Sequence, residues 1–308
     1  MCDYGQSNTV SMVIINYNSG DFLLKAVESA LAQVDEVIII DNASSDNSLI
    51  LLNKYICNES NVRIVRNKKN VGFSVACNMG AKISKAPYIL FLNPDCILDD
   101  GAVNTLKQVL ISKKDIGLVG GLLQNPDGTE QAGGRRAIPT PWRSFVRAFG
   151  LYRFYSRWPK LFFDFHLHKQ ALPDVPVEVE AISGACMLFK REAFEDVGMW
   201  DENYFLHCED LDICMRLRQN NWKIVFVPTA KIDHFIGKCS ESCPVFVEWH
   251  KHKGMIYFYH KFFKHQYPGI LMQMVIAGVW LHFLGAGGSK AIKSKLNNAL
   301  SKSHQTHV

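Results

Sequence analysis

The chain has 308 residues, 48% of them hydrophobic and 20% charged, which supplies one sizeable core and excludes a disordered or collagen-like polymer. Its net charge of +5 is concentrated in the tail: from Trp249 onward there are eight lysines and no arginine or acid. The body is therefore slightly acidic, which argues against a folded face that tracks nucleic-acid phosphates.

In chain order, short β-rich runs at Val10 to Ile15, Glu36 to Ile40, Val62 to Val65, Tyr88 to Leu92 and Ile116 to Val119 predict strands. Between them Phe22 to Ala32, a segment capped by Ser45 or Asp46, Phe73 to Ile83 and Gly101 to Ser112 predict helices, giving a βαβαβαβα unit with a largely parallel sheet. Asn125-Pro126-Asp127-Gly128 is a turn signal for a hairpin or excursion from the sheet. Gly133 to Pro176 has no sustained period and mixes arginines with Trp, Phe and Tyr, so it reads as a mobile or partner-facing insertion; a nucleic-acid patch is the rival reading. Val177 to Lys190 reads as extended chain, Glu209 to Asn220 as a helix, and Lys223 to Val227 as a strand ending at Pro228.

The C-terminal stretch differs in kind. Ile270 to Ala286 is apolar apart from Gln273 and His282 and is followed by Lys290, Lys293 and Lys295. It is short for a span, and its flanks suit an interfacial helix on an anionic bilayer; a buried helix and a true span are the alternatives. Nine cysteines without a CxxC pair, and first residues without an apolar leader, lead to the expectation of reduced thiols in the cytosol. Cys239 and Cys243 with His234 and His250 fit no familiar zinc spacing.

Two strands end in carboxylates, at Asp41 and at Asp95 of Asn93-Pro94-Asp95, and so place charge at the C-terminal sheet edge where open α/β folds bind ligands. Asp41 can accept from a base imide, and Asp95 can hold a hard divalent cation that bridges phosphates. No Gly-x-Gly-x-x-Gly follows the first strand and no P-loop occurs, which argues against dinucleotide oxidoreductases and P-loop enzymes. Glu209-Asp210-Leu211-Asp212 opens a helix, where the dipole favours anions; one of the first two carboxylates is free to act as a base while the other fixes the turn. Asp212 with Arg216 reads equally as an i, i+4 pair.

Taken in order, Val13-Ile14-Ile15-Asn16-Tyr17-Asn18, Asp41 to Asp46, Asn70-Val71-Gly72-Phe73 with Asn78-Met79-Gly80, Asn93-Pro94-Asp95, Ser183-Gly184-Ala185 and Glu209 to Asp212 resemble the blocks of family-2 glycosyltransferases, nearest to a bacterial rhamnosyltransferase-like branch. The resemblance spans about Val10 to His234. It implies an α/β fold of GT-A type, with a mostly parallel central sheet flanked by helices and a C-terminal helical extension. It also implies a nucleotide-diphosphate sugar donor, Mg²⁺ or Mn²⁺, and inversion at the anomeric carbon.

By that resemblance Asn16, Tyr17, Asn18, Asp41, Asn70, Gly72, Asn78, Asn93 and Asp95 border the nucleotide sugar, and Asp95 with His234 holds the metal. Asp210, with Glu209 beside it, is the catalytic carboxylate, and Gly184, Ala185 and Trp200 border the acceptor, with core packing an equal rival for Trp200. Asn93 stands where many relatives carry a second aspartate, which lowers the charge available to a metal. The expected division is residues 1–243 as the transferase domain, with a nucleotide-sugar half at 1–125 and an acceptor half at 126–243, and residues 244–308 as a membrane-associating extension. The implied acceptor is a glycan or lipid-linked glycan in cell-surface polysaccharide synthesis, at the cytoplasmic face of the inner membrane, with no nucleic-acid partner. A catalytically silent sugar-nucleotide-binding scaffold and a nucleotidyltransferase are the rival functions.

Overall fold

A computed structural model describes residues 8–57, 59–235, 244–267 and 269–285. Strands β1 (Val10–Asn16), β2 (Glu36–Asp41), β3 (Val62–Arg66) and β4 (Tyr88–Leu92) alternate with helices α1 (Phe22–Leu31), α2 (Ser48–Tyr55) and α3 (Phe73–Ile83). Next come β5 (Cys96–Leu98), α4 (Ala102–Ser112), β6 (Ile116–Gln124), β7 (Arg135–Arg136) and α5 (Pro141–Ala148). The second half adds β8 (Val177–Glu178), β9 (Ala181–Ile182), β10 (Cys186–Lys190), α6 (Arg191–Asp196), α7 (Glu209–Gln219) and β11 (Lys223–His234). Helices α8 (Pro244–Phe263) and α9 (269–285) follow.

The main sheet runs β3-β2-β1-β4-β10-β6-β11-β5, with β8 also paired to β11. Strands β1 to β4 are mutually parallel, β6 and β11 are parallel to each other, and β10 runs antiparallel between β4 and β6. Strand alternation divides the core between the two sheet faces. Val13, Ile15, Ile38 and Ile40 pack with α3, α6 and α7; Met12, Ile14, Val37 and Ile39 pack with α1, α2 and α4.

Three features depart from the expectations. Strand β11 continues through Pro228: its register slips between Val227 and Lys231, and at this bulge a proline takes no ladder bond. The extra length brings His234 opposite Cys96 of β5. The insertion is anchored where it meets the sheet: β7 pairs with β9, Thr140 caps α5 by accepting the Arg143 N–H at 3.2 Å, and Val146 is fully buried. Finally, α8 is part of the core rather than an appendage, because Phe258, Tyr259 and Phe263 are buried in the cluster that holds α3, α6 and α7. Position 244 thus marks the start of a helix, while the core continues beyond it.

Among the described residues no helix is long and apolar enough to cross a membrane. Cys239, Cys243, Ala286 and the lysines after it lie outside the described residues.

Candidate active site

The loops after β1 and β2 are laced together at the C-terminal sheet edge. Asn16 and Asp41 are register partners, and the Asn16 side-chain amide donates to Asp41 Oδ1 at 2.8 Å. Asp41 Oδ2 accepts the Ser44 N–H at 3.3 Å, and Asn18 Oδ1 accepts the Ser45 N–H at 2.8 Å. Tyr17, directly beyond β1, leaves 40% of its surface exposed, which offers a flat face beside these polar groups.

Asn70 Oδ1 accepts the Gly72 N–H at 3.0 Å. Gly72 adopts φ +90°, and a Cβ there would lie 2.9 Å from the Phe205 ring, so only glycine fits. These two residues tie the loop before α3 to the segment that leads into α7. Asn78 does something else. Its Nδ2 donates to the Trp200 carbonyl and to Glu202, both at 2.9 Å, and its Oδ1 accepts the Trp200 N–H at 3.1 Å. It clamps the chain after α6 to α3, away from the sheet edge that carries Asp41 and Asp95.

Beyond β4, the Asn93 N–H donates to the Ala185 carbonyl at 2.8 Å and the Cys96 N–H returns to the Asn93 carbonyl at 3.1 Å. The resulting turn holds Asp95 at 5% exposure, with Oδ1 3.4 Å from His234 Nε2. His234 Nδ1 lies 2.6 Å from Gln131 Oε1. Gln131 Nε2 donates to the His234 carbonyl at 3.1 Å and to Asn125 Oδ1 at 3.3 Å, so its oxygen is the acceptor and His234 Nδ1 carries the proton. In a neutral ring that arrangement turns the Nε2 lone pair toward Asp95.

One carboxylate and one imidazole lone pair, both recessed, fit a hard divalent cation. Cys96 Sγ is close enough to join them, but it hydrogen-bonds the Ala185 carbonyl at 3.5 Å, and a soft thiol suits Mg²⁺ or Mn²⁺ poorly. Gln131, a lone glutamine after a turn, carried no signal in the sequence. Gln131→Leu is expected to weaken Mn²⁺ binding by about 10–100-fold, the usual effect of losing an outer-shell partner, as read from free-Mn²⁺ electron paramagnetic resonance. An unchanged isotherm would contradict the clamp.

Asp210 stands in the first turn of α7. His207 and Cys208, immediately before α7, both adopt positive φ (67° and 70°), an uncommon backbone for residues with a Cβ that turns the chain sharply into the helix. Helix α8 supports this turn through the Lys251 carbonyl, which lies 3.7 Å from Cys208 Sγ. Asp210 Oδ1 accepts the Leu211 N–H at 2.8 Å, and Oδ2 accepts the Gly184 N–H at 3.1 Å and an Arg136 guanidinium N–H. A Cβ on Gly184 would sit 3.3 Å from Asp210 Cβ, so a small residue is needed for this approach. Residues 183–185 therefore bridge the two carboxylates: Ala185 binds the Asp95 turn and Gly184 binds Asp210. Arg136 is a residue that the aperiodic insertion concealed.

Beyond Asn78, two more expected site residues are corrected. Trp200 is 1% exposed and packs edge-on against Phe73, Phe91, Phe189 and Phe194, so it is core and not acceptor surface. Glu209 is buried, and burial first, then the neighbouring Asp210 charge, push its carboxyl up to about 8. A neutral carboxyl away from solvent is not the base. Asp212, fully buried, is indeed the i, i+4 partner of Arg216 at 2.5 Å and also binds Lys261 of α8 at 2.6 Å.

The Glu209 environment has a pH signature. The folded chain keeps this proton to about pH 8, whereas an unfolded glutamate loses it near 4.5, so its contribution to stability is intact below about 4.5 and is lost as pH rises toward 8. Glu209→Gln should match the parent's melting temperature most closely at about pH 4, below the ordinary glutamate range, and exceed it at about pH 8.5. An identical difference at both pH values would contradict a buried neutral carboxyl.

The family profile described as Glycosyl transferase family 2 matches residues 11–198, more than half of the chain. The chain belongs to this family. A second profile, Glycosyl transferase family group 2, matches residues 131–279 and so takes in α8 and much of α9. The chain is similar to the N-acetylglucosaminyl-diphospho-decaprenol L-rhamnosyltransferase of Mycobacterium tuberculosis, 27% identical over 244 residues that make up 74% of this chain and 76% of the relative. It is also similar to a low-salt glycan biosynthesis hexosyltransferase of Haloferax volcanii, 26% identical over 70% of this chain and 63% of that protein.

Among solved structures it resembles the mannosyltransferase PcManGT of Pyrobaculum calidifontis in complex with GDP-Man and Mn²⁺ (TM-score 0.55, 13% identity, 99% of this chain and 81% of that one). It also resembles GalNAc-T7 with UDP, GalNAc and Mn²⁺ (TM-score 0.56, 20% identity), where the match covers 73% of this chain but 43% of the other. The fold of this family-2 glycosyltransferase is thus of GT-A type.

Proposed function

We propose that this glycosyltransferase moves a hexose, with rhamnose, the sugar named for the Mycobacterium tuberculosis relative, the first candidate, from a nucleotide diphosphate to a hydroxyl of a lipid-linked glycan in cell-surface polysaccharide synthesis. The observation that carries the reading is the 183–185 loop, whose successive backbone groups hold the Asp95 turn and Asp210. Asp41, Asn16, Tyr17 and Asn18 form the nucleoside end, Asn70 and Gly72 shape its wall, and Asn93 sits at the diphosphate turn. Asp95 and His234 are the residues that would hold Mg²⁺ or Mn²⁺, and the cation supplies charge neutralisation at the departing diphosphate.

Asp210 takes the proton from the acceptor hydroxyl as that oxygen attacks the anomeric carbon. The bond to the diphosphate breaks with its electron pair, and a single displacement inverts the centre. Gly184 borders the acceptor because it lies beside Asp210, while Ala185, expected there too, is buried in the core and supports the Asp95 turn through its carbonyl.

In this reading residues 1–125 serve the donor, 126–243 the acceptor, the base and, through His234, the metal, while α8 completes the core and the stretch after it serves the membrane. Ile270, Met274, Leu281 and Leu284 form an exposed apolar stripe along α9, and the lysines that follow in the sequence add positive charge, which supports peripheral attachment to the cytoplasmic face of the inner membrane. A panel of sugar nucleotides with and without Mn²⁺ tests the reading. It predicts metal-dependent transfer or slow hydrolysis of one hexose donor with the anomeric configuration inverted; donor binding without any turnover would favour the scaffold.

A further inference from the structure

Helix α5 is built inside out. Arg143 and Arg147 turn inward to carboxylates, Glu180 at 2.6 Å and Asp164 at 2.9 Å, while Val146 is buried and Ser144 accepts from Tyr259 of α8 at 2.7 Å. The opposite face carries an aromatic ladder. Trp142 stacks on Phe145 at 5.5 Å, Phe145 meets Phe149 at 4.5 Å, and their exposures are 43%, 43% and 67%. A helix facing only water would place these groups the other way round.

The ladder continues into the following loop, because Trp142 Nε1 donates to the Leu161 carbonyl at 2.8 Å. Residues 153–161 are all exposed and include Phe154, Tyr155, Trp158 and Leu161. Charge completes the pattern, since residues 131–163 contain seven cations and no acid. Arg135, Arg136, Arg143 and Arg147 reach carboxylates supplied from outside that stretch; among the described residues Arg153, Arg157 and Lys160 form no ion pair and lie amid the exposed rings, with Arg157 over Trp158 at 5.1 Å.

We infer that this surface is a second membrane contact, separate from the C-terminal helix, that seats its aromatic side chains at the headgroup boundary of an anionic bilayer. Apolar rings bordered by unpaired cations are complementary to anionic headgroups over acyl chains. The contact also orients the enzyme. Arg136, which holds Asp210, lies six residues before Trp142, a reach of at most about 20 Å, so a bilayer on this face brings a lipid-linked acceptor to the base. That orienting role rests on the proposed acceptor, whereas vesicle binding is measured without turnover, so either can fail alone.

The test is flotation of the full chain with vesicles of phosphatidylglycerol and phosphatidylcholine. Phe145→Ser/Phe149→Ser/Trp158→Ser should reduce the bound fraction about tenfold or more, and Arg153→Gln/Arg157→Gln/Lys160→Gln should weaken the preference for anionic over neutral vesicles, leaving the part that the C-terminal lysines supply. Should the first variant misfold, bromolipid quenching decides: Trp142→Phe/Trp158→Phe should lose a quenched component present in the parent. Flotation and quenching identical to the parent, single-stranded RNA bound more tightly than vesicles, or a dimer that the triple serine variant dissolves would each overturn the inference.

Discussion

Asp210→Asn is expected to lower turnover by about 10²–10⁴-fold, the usual contribution of a positioned general base, while donor affinity stays within error of the parent. The amide keeps the volume, and its single oxygen can keep the Leu211 N–H that starts α7, while the Gly184 N–H loses its acceptor. What it lacks is the ability to take the acceptor's proton. Single-turnover kinetics and equilibrium donor binding, measured on the same preparation, separate the two effects. Normal turnover in this variant would remove Asp210 from the mechanism.

Asp95→Ala is expected to weaken metal-dependent donor binding by at least about 100-fold, since losing an outer-shell partner alone costs 10–100-fold and Asp95 is the one carboxylate within reach of His234 in this cluster. The turn itself should survive. It is held by the backbone bonds of Asn93 to Ala185, Cys96 to Asn93 and Phe235 to Asp95, none of which uses the side chain. Isothermal titration of the donor with Mn²⁺ and with chelator checks this: the parent should lose affinity in chelator and the variant should show no further loss. A parent isotherm insensitive to chelator would count against any metal role for Asp95 and His234.

The parallel strands of the first half were legible because their signals are local. Strand runs of five or six residues end directly in Asn16, Asp41 and the Asn93 turn, and parallel-sheet geometry sends such ends to one edge. What stayed hidden depends on partners distant in sequence. Asn78 looks like a ligand-binding residue in its motif, yet its three bonds go to residues more than 120 positions away. Pro228 read as a strand end, whereas a bulge carries β11 past it to deliver His234. Arg136 and Gln131 belong to an aperiodic stretch and acquire meaning only from Asp210 and His234. Helix α8 read as an interfacial extension because its residues are aromatic and basic, but Phe258, Tyr259 and Phe263 face the protein core.

The central claim is that Asp95 with His234 and Asp210 serve one reacting centre from two sides. Anomalous scattering from a crystal of Asp210→Asn grown with Mn²⁺ and a sugar nucleotide addresses it directly. The account predicts a manganese peak on Asp95 and His234 Nε2, with the anomeric carbon lying between the diphosphate and residue 210. A peak elsewhere, or a sugar whose open face points away from residue 210, would contradict it.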